Sequence, residues 1–338
     1  MAGQGKYFSL DGYNEHFEDW AIQDLTAKIK RDRNHPSIIA WSIGNEIDYP
    51  GDPYSYDKGK PSPEKLVPIA KKLVKTVKSI DTTRPVTAAL ANTPVSNKTG
   101  LAQQLDVVGY NYQEKYYEKD HKNYPDRKMM GTENGDSYQG WLAVKNNDYM
   151  PSQFLWTGFD YLGEPTPYYR EWPSRSSYFG IMDLCGFPKD RFYLYKSKWS
   201  ETSTLHLLPH WNWEGKEGEN IPVFCYTNYE AVELFVNGKS HGVKHRNIND
   251  FPAAGLRWQV QFKEGGNQLR VIAQEGNQKV EDSLKVNYQT QSWEEPSKFI
   301  FEEISRTGDT ATLRALAVDE NAVLCLDAKN FVRFSLAG

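Results

Sequence analysis

Apolar positions in the first 160 residues repeat with two periods that take turns along the chain. Helical spacing at Trp20, Ile22, Leu25 and Ile29 predicts a helix over about 14 to 32. Pro36 stops it, and Ser37 to Ile43 then forms a nearly unbroken apolar run with β-branched residues, the pattern of a strand covered on both faces. The same alternation predicts a helix over 64 to 80, a strand over 85 to 90, a short helical stretch near 100 to 104, a strand over 106 to 112 and helical turns near 115 to 121. A further strand ends at Glu133, another spans 152 to 161, and a last helix near 191 to 199 carries Tyr193, Tyr195 and Trp199. Strands alternating with helices at this spacing imply a parallel sheet with right-handed crossovers, as in a parallel α/β barrel.

After Pro209 the period changes to two. Val223–Thr227, Val232–Val236, Trp258–Phe262 and Leu269–Ala273 alternate apolar and polar positions, and Asn237-Gly238 links two strands as a tight hairpin turn. This predicts an immunoglobulin-like β-sandwich of about 80 residues. From about 294 the runs Thr310–Asp319 and Phe331–Phe334 have the look of the opening strands of a further immunoglobulin-like domain. The expected division is 1–204 for the α/β part, 205–291 for the sandwich and 292–338 for the last segment.

Two carboxylates stand where apolar strands give way to polar residues. The run through Ile43 breaks abruptly into Gly44-Asn45-Glu46, and Met129-Met130-Gly131 leads into Thr132-Glu133-Asn134. In a parallel barrel, residues at the carboxyl ends of the strands line the reaction mouth. Glu46 would end one strand and Glu133 the third strand after it, so in an eight-stranded ring the two face each other.

These residues resemble the glycoside hydrolases of family 2, in particular the β-galactosidase-like members whose barrel is followed by β-sandwich domains. Arg33-Asn34-His35-Pro36-Ser37 through Asn45-Glu46 resembles the acid/base signature of that family, and Gly131-Thr132-Glu133 its nucleophile strand. Further matches are Gly109-Tyr110-Asn111-Tyr112, Phe154 to Tyr161, and Leu207-Leu208-Pro209-His210-Trp211-Asn212-Trp213. The resemblance implies the C-terminal part of a TIM (β/α)8 barrel, strands 4 to 8, with Glu46 as acid/base and Glu133 as nucleophile of a retaining double displacement. It further implies that Asn45 donates to the sugar 2-hydroxyl, Tyr112 steadies the nucleophile and Trp156 walls the ring. His35 is expected to organise the loop before the strand. Asp160, Glu164 and Asp183 read as structural or solvated, and Arg175 and Lys189 as surface charges.

The resemblance also sets expectations for what lies beyond these residues. In the family the Glu46 strand is the fourth, and the Arg-x-Ser-His-Tyr-Pro type segment is absent here, so the chain reads as a fragment of a longer gene product or one completed by a partner. Terminal β-D-galactosides are the favoured substrate. The region from Ile181 to Gly186 lacks the Asn-x-Lys element with which glucuronidases pair a sugar carboxylate, while β-mannosides and β-glucuronides stay open. An inert barrel fragment with a carbohydrate-binding or interaction sandwich is the rival from another class.

Composition narrows the partners. A net charge of −4 offers no broad basic face, which argues against nucleic acid. Aromatic residues at 14% suit sugar stacking and β-sheet packing equally. Cys185, Cys225 and Cys325 lack metal-ligand spacing and read as buried thiols, and the two-carboxylate mechanism calls for no cofactor or metal. No apolar stretch approaches the ~18 residues of a membrane span. Residues 1 to 6 hold no signal core. A periplasmic or secreted location is slightly favoured, with any signal region upstream, and a homo-oligomer is left open for a full-length form.

Overall fold

The structure, a computed structural model, describes residues 13–48, 63–164, 176–209, 213–250, 253–276 and 278–335. Residues 1 to 6, Arg175 and the His210, Trp211 and Asn212 of the last motif lie outside the described residues. The chain forms two compact units, Met1–Gly158 and Phe159–Gly338.

In the first unit a 3-10 turn, Tyr13–His16, leads into α1 (Phe17–Asp32). Ile29 of α1 is fully buried, whereas Trp20 is half exposed, so only part of the predicted apolar stripe faces the core. The first strand, β1 (Trp41–Asn45), is shorter than the apolar run predicts. Residues 35–40 form an exposed turn because Arg84 reaches across and donates to the carbonyls of Ile38 at 2.7 Å and His35 at 3.1 Å. Those carbonyls are thereby taken out of any ladder, and Ile39 is left exposed. His35 is part of this turn, as expected of a loop organiser.

α2 (Pro63–Ile80) and β2 (Val86–Leu90) follow as predicted. α3 (Thr93–Thr99) was not legible from periodicity: it is short, and its signals are a Pro in the first turn, Asn92 capping Val95 N–H, and Gly100 ending it at a φ of +85°. β3 (Val107–Asn111), α4 (Tyr117–Asn123), β4 (Met129–Glu133) and α5 (Tyr138–Lys145) complete the alternation. The four strands lie parallel in the order β1-β2-β3-β4. β2 is buried at all five positions, which is the expected state of a strand covered on both faces. The core joins Ile29, Trp41, Val77, Leu90, Tyr110, Tyr117 and Met129.

The predicted strand over 152 to 161 is not continuous. Residues 152 to 156 run beside β4 through Gly131 N–H to Ser152 O, Asn134 N–H to Phe154 O and Trp156 N–H to Asn134 O, with a single bridge at Asn134 and Leu155. Trp156-Thr157 is a cis peptide.

In the second unit α6 (Asp190–Trp199) packs on β5 (Leu205–Pro209) and β6 (Ile221–Thr227). β7 (Ala231–Val236) and β8 (Lys239–His245) form the predicted hairpin, whose Asn237 and Gly238 hold φ of +50° and +82°, as a two-residue turn of this hand requires. β9 (Arg257–Val260), β10 (Gly265–Glu275) and β11 (Gln278–Tyr288) finish two antiparallel sheets, β11-β10-β7-β8 and β5-β6-β9. Their inward positions, among them Val223, Cys225, Leu234, Trp258, Val260, Leu269 and Val271, form one core. β12 (Lys298–Thr307) and β13 (Thr310–Val318) pair as a separate ribbon. Phe331–Phe334 is not a strand, and both phenylalanines stand exposed.

Cys225 and Cys325 are buried as expected, but Cys185 is exposed, on a turn where its N–H donates to Asp183. Lys189 is no isolated surface charge: its ammonium meets the buried Asp160 carboxylate at 2.6 Å. No helix among the described residues is long and apolar enough to cross a membrane.

Candidate active site

The carboxyl ends of β1, β3 and β4 bring the predicted residues together. Asn45 is the last residue of β1, and Glu46 follows it in a left-handed conformation, φ +51°, with its N–H donating to Ala89 O on β2 at 2.7 Å. That backbone turn carries the Glu46 side chain to the strand end, where it is buried to 8% exposure. Glu133 closes β4 and is half-buried, in register with Asn111 of β3.

Asn111 ties these groups together. It is fully buried, and its Nδ2 lies 3.0 Å from Asn45 Oδ1, 3.1 Å from Glu133 Oε2 and 3.5 Å from Glu46 Oε1. Thr132 Oγ1 donates to Asn111 Oδ1 at 2.7 Å, so the NH2 end of the amide is the one turned to the carboxylates. Asn111 stands inside the Gly109–Tyr112 match, but neither its spacing nor its residue type marks it as part of a site. The signal that could have found it is a lone amide at the carboxyl end of the short strand Val107–Asn111.

Tyr112 follows Asn111 with φ +53°, and its N–H donates to Glu133 O at 2.8 Å. It is 42% exposed and lines an open groove with Glu114 and Ser137. Trp156 is half-buried on the segment beside β4. All five predicted site residues therefore belong to the first unit. Glu46, Asn45 and Glu133 share a hydrogen-bond hub, while Tyr112 and Trp156 are tied by backbone bonds to Glu133 and Asn134.

Buried polar groups hold this rim in place. Asp48 accepts from Ala91 N–H, Asn92 N–H and Ser96 Oγ, which joins the loop after Glu46 to the loop after β2. Burial pushes its carboxyl above the ordinary range, against the opposing pull of those donors. Beneath β3, Tyr110 donates to Asp120 at 2.9 Å, and Arg127 reaches Asn97 at 2.7 Å. Burial raises the Tyr110 phenol well above its usual range, so it stays a neutral donor. Asn134 donates to Glu114 and Tyr117, fixing the chain just after Glu133. The remaining acidic residues take the structural part expected of them: Asp160 pairs with Lys189 and accepts from Gly180 N–H, Asp183 accepts from two backbone N–H groups in its own turn, and Glu164 hydrogen-bonds Tyr161.

Glycosidic cleavage takes a pair of carboxylates, and here two lie within reach of one amide at the carboxyl end of a parallel sheet. Comparison with known proteins gives the same direction. Residues 2–141 match the family "Glycosyl hydrolases family 2, TIM barrel domain", and residues 218–281 match a domain of unknown function, DUF4982. The chain carries part of the TIM barrel domain of glycosyl hydrolases family 2. It is 35% identical to the β-galactosidase BoGH2A of Bacteroides ovatus over 96% of this chain and 45% of that protein. A putative β-glucuronidase of Formosa agariphila is 38% identical over 46% of this chain and 19% of its own length. Among solved structures, β-glucuronidase 3 of Bacteroides uniformis superposes with a TM-score of 0.68 at 26% identity, over 93% of this chain and 45% of that one. The chain spans less than half the length of each of these relatives.

Proposed function

We propose that this chain carries both catalytic glutamates of a retaining, exo-acting glycoside hydrolase that cleaves terminal β-D-galactosides. The observation that supports it best is the single Asn111 amide within hydrogen-bond reach of Glu133 and Glu46. Oxygens 3.1 Å and 3.5 Å from one nitrogen can be no farther apart than the sum of those distances, which suits the ~5–5.5 Å carboxyl spacing of retaining enzymes.

In this reading a Glu133 oxygen attacks the anomeric carbon as the bond to the leaving oxygen breaks. The departing electron pair takes the Glu46 proton, leaving a glycosyl ester on Glu133 and a carboxylate at Glu46. Water then gives a proton to Glu46 while its oxygen attacks the anomeric carbon from the face the leaving group vacated, and Glu133 departs as carboxylate. Two inversions give net retention. Asn45, whose oxygen is engaged by Asn111, offers its N–H groups to the sugar 2-hydroxyl. Tyr112 and Trp156 flank the sugar, Tyr112 steadying the nucleophile and Trp156 walling the ring.

The domain division follows from this reading: 1–204 supplies barrel strands, 205–291 a sandwich and 292–338 the start of another immunoglobulin-like domain. A galactoside is favoured by the name of the Bacteroides ovatus relative and by the missing Asn-x-Lys element near Ile181–Gly186. β-Glucuronides are the second reading, favoured by the names of the Formosa agariphila and Bacteroides uniformis relatives.

The test is hydrolysis of nitrophenyl β-galactoside and β-glucuronide by this chain, alone and within the longest open frame that contains it. Galactoside turnover should exceed glucuronide turnover by at least about tenfold, and Glu133→Gln should lower kcat by several powers of ten. A reversed preference overturns the galactoside assignment, and an unimpaired Glu133→Gln overturns the mechanism.

A further inference from the structure

The Asn111 amide has two protons and three acceptors. Asn45 Oδ1, at 3.0 Å, takes one, and the other lies between Glu133 Oε2 at 3.1 Å and Glu46 Oε1 at 3.5 Å. Turning the amide over would set its oxygen against Asn45 Oδ1 and the two carboxylates, while in the present orientation that oxygen accepts from the Thr132 hydroxyl at 2.7 Å. The environment is closed as well. Asn111 has no exposed surface, and Gly109, two residues before it on β3, passes Thr132 so closely that an added Cβ would lie 2.7 Å from the Thr132 side chain.

We infer that Asn111 is a positioning residue whose shared amide proton follows the negative charge between Glu133 and Glu46 through the reaction. The inference rests on the two-glutamate reading above. Before attack the charge is on Glu133, whose oxygen is also the nearer acceptor, at 3.1 Å against 3.5 Å for Glu46. In the glycosyl-enzyme Glu133 is a neutral ester and the charge is on Glu46, so the same N–H now has its stronger acceptor on the other side. A hydrogen bond to an ionised acceptor is about twice as strong as one to a neutral group, so the donor stabilises whichever glutamate is charged without leaving its seat. The amide is the side chain that fits this role, since an Asp here would add a third negative charge and a Leu would leave both carboxylates without the donor.

The structural rival is a buried asparagine that merely satisfies strand ends, and its loss would lower stability alone. Two variants separate the possibilities. Asn111→Ala removes the donor, and Thr132→Val keeps the donor but releases its orientation. For Asn111→Ala, kcat should fall by about 100-fold, the loss typical of one oriented donor, while KM changes less than about threefold. Because the donor favours the ionised nucleophile, the acid limb of the kcat/KM profile should move to higher pH, and Thr132→Val should move it the same way by less. The titration of the Glu133 carboxyl, followed by 13C NMR in the folded chain, needs no turnover and should shift upward in both variants. Unchanged titration and pH limb, with only reduced stability, overturn the inference. An upward titration shift in a chain whose Glu133→Gln form keeps full turnover retains the electrostatic hold and sinks the catalytic reading, and with it the charge-following role.

Discussion

Glu46 and Tyr112 both hold φ angles near +50°, a region that costs a non-glycine side chain about 1–2 kcal/mol. Such conformations persist where neighbours over-determine them, and beside Glu46 the neighbour is Asp48, whose carboxylate gathers donors from Ala91 and Asn92 after β2 and from Ser96 of α3. Asp48→Ala should cost about 2–3 kcal/mol in urea unfolding, because buried donors lose their acceptor, and should lower turnover by letting Glu46 leave its turn. Asp81 shows a different dependence on pH. Hydrogen bonds from the Thr83 hydroxyl, then from Trp41 and Arg84, hold its carboxyl well below the usual range. A depressed native value means that its contribution is complete above about pH 4 and fades as pH falls further. The melting temperatures of the wild type and Asp81→Asn should therefore differ most near pH 6 and converge toward pH 2, and a constant difference would contradict this. Glu46 and Glu133 were legible in the sequence because a carboxylate directly after an apolar strand is conspicuous. Asn111 was not, because its significance lies in which strands stand beside it.

The strands of the first unit depend on small side chains where they approach most closely. Gly109 faces Ala88 O and Thr132, and a Cβ there would sit 2.6 Å from the first and 2.7 Å from the second. Gly109→Ala should cost about 1–3 kcal/mol through overpacking and, by moving Thr132, should disturb the Asn111 hub and lower turnover as well. Equilibrium unfolding together with the glycosidase assay reads both. Where periodicity misled, a long-range contact had overridden it. Ser37 to Ala40 has the composition of a strand, yet Arg84, nearly fifty residues away, takes the carbonyls of His35 and Ile38. The segment 152 to 161 is apolar enough for a strand but meets β4 through isolated bonds only. Turn chemistry fared better: Asn237-Gly238 produced the hairpin that its dipeptide predicts.

The change from a 3.6-residue to a 2-residue period falls inside the second unit, after α6, and was visible without coordinates. In the sandwich, Leu234 is fully buried in the single core between the two sheets. Leu234→Ala should cost about 2–5 kcal/mol and lower hydrogen-exchange protection along β7 and β10, which pair directly. The pairing of Glu46 with Glu133 asks for more than stability. It requires a covalent sugar on one named side chain. Treating the protein with a 2-deoxy-2-fluoro-β-galactosyl fluoride and mapping the labelled peptide by mass spectrometry should find one sugar per chain, on Glu133. A label on any other residue, or no label from a chain that still turns over galactoside, would contradict the proposal.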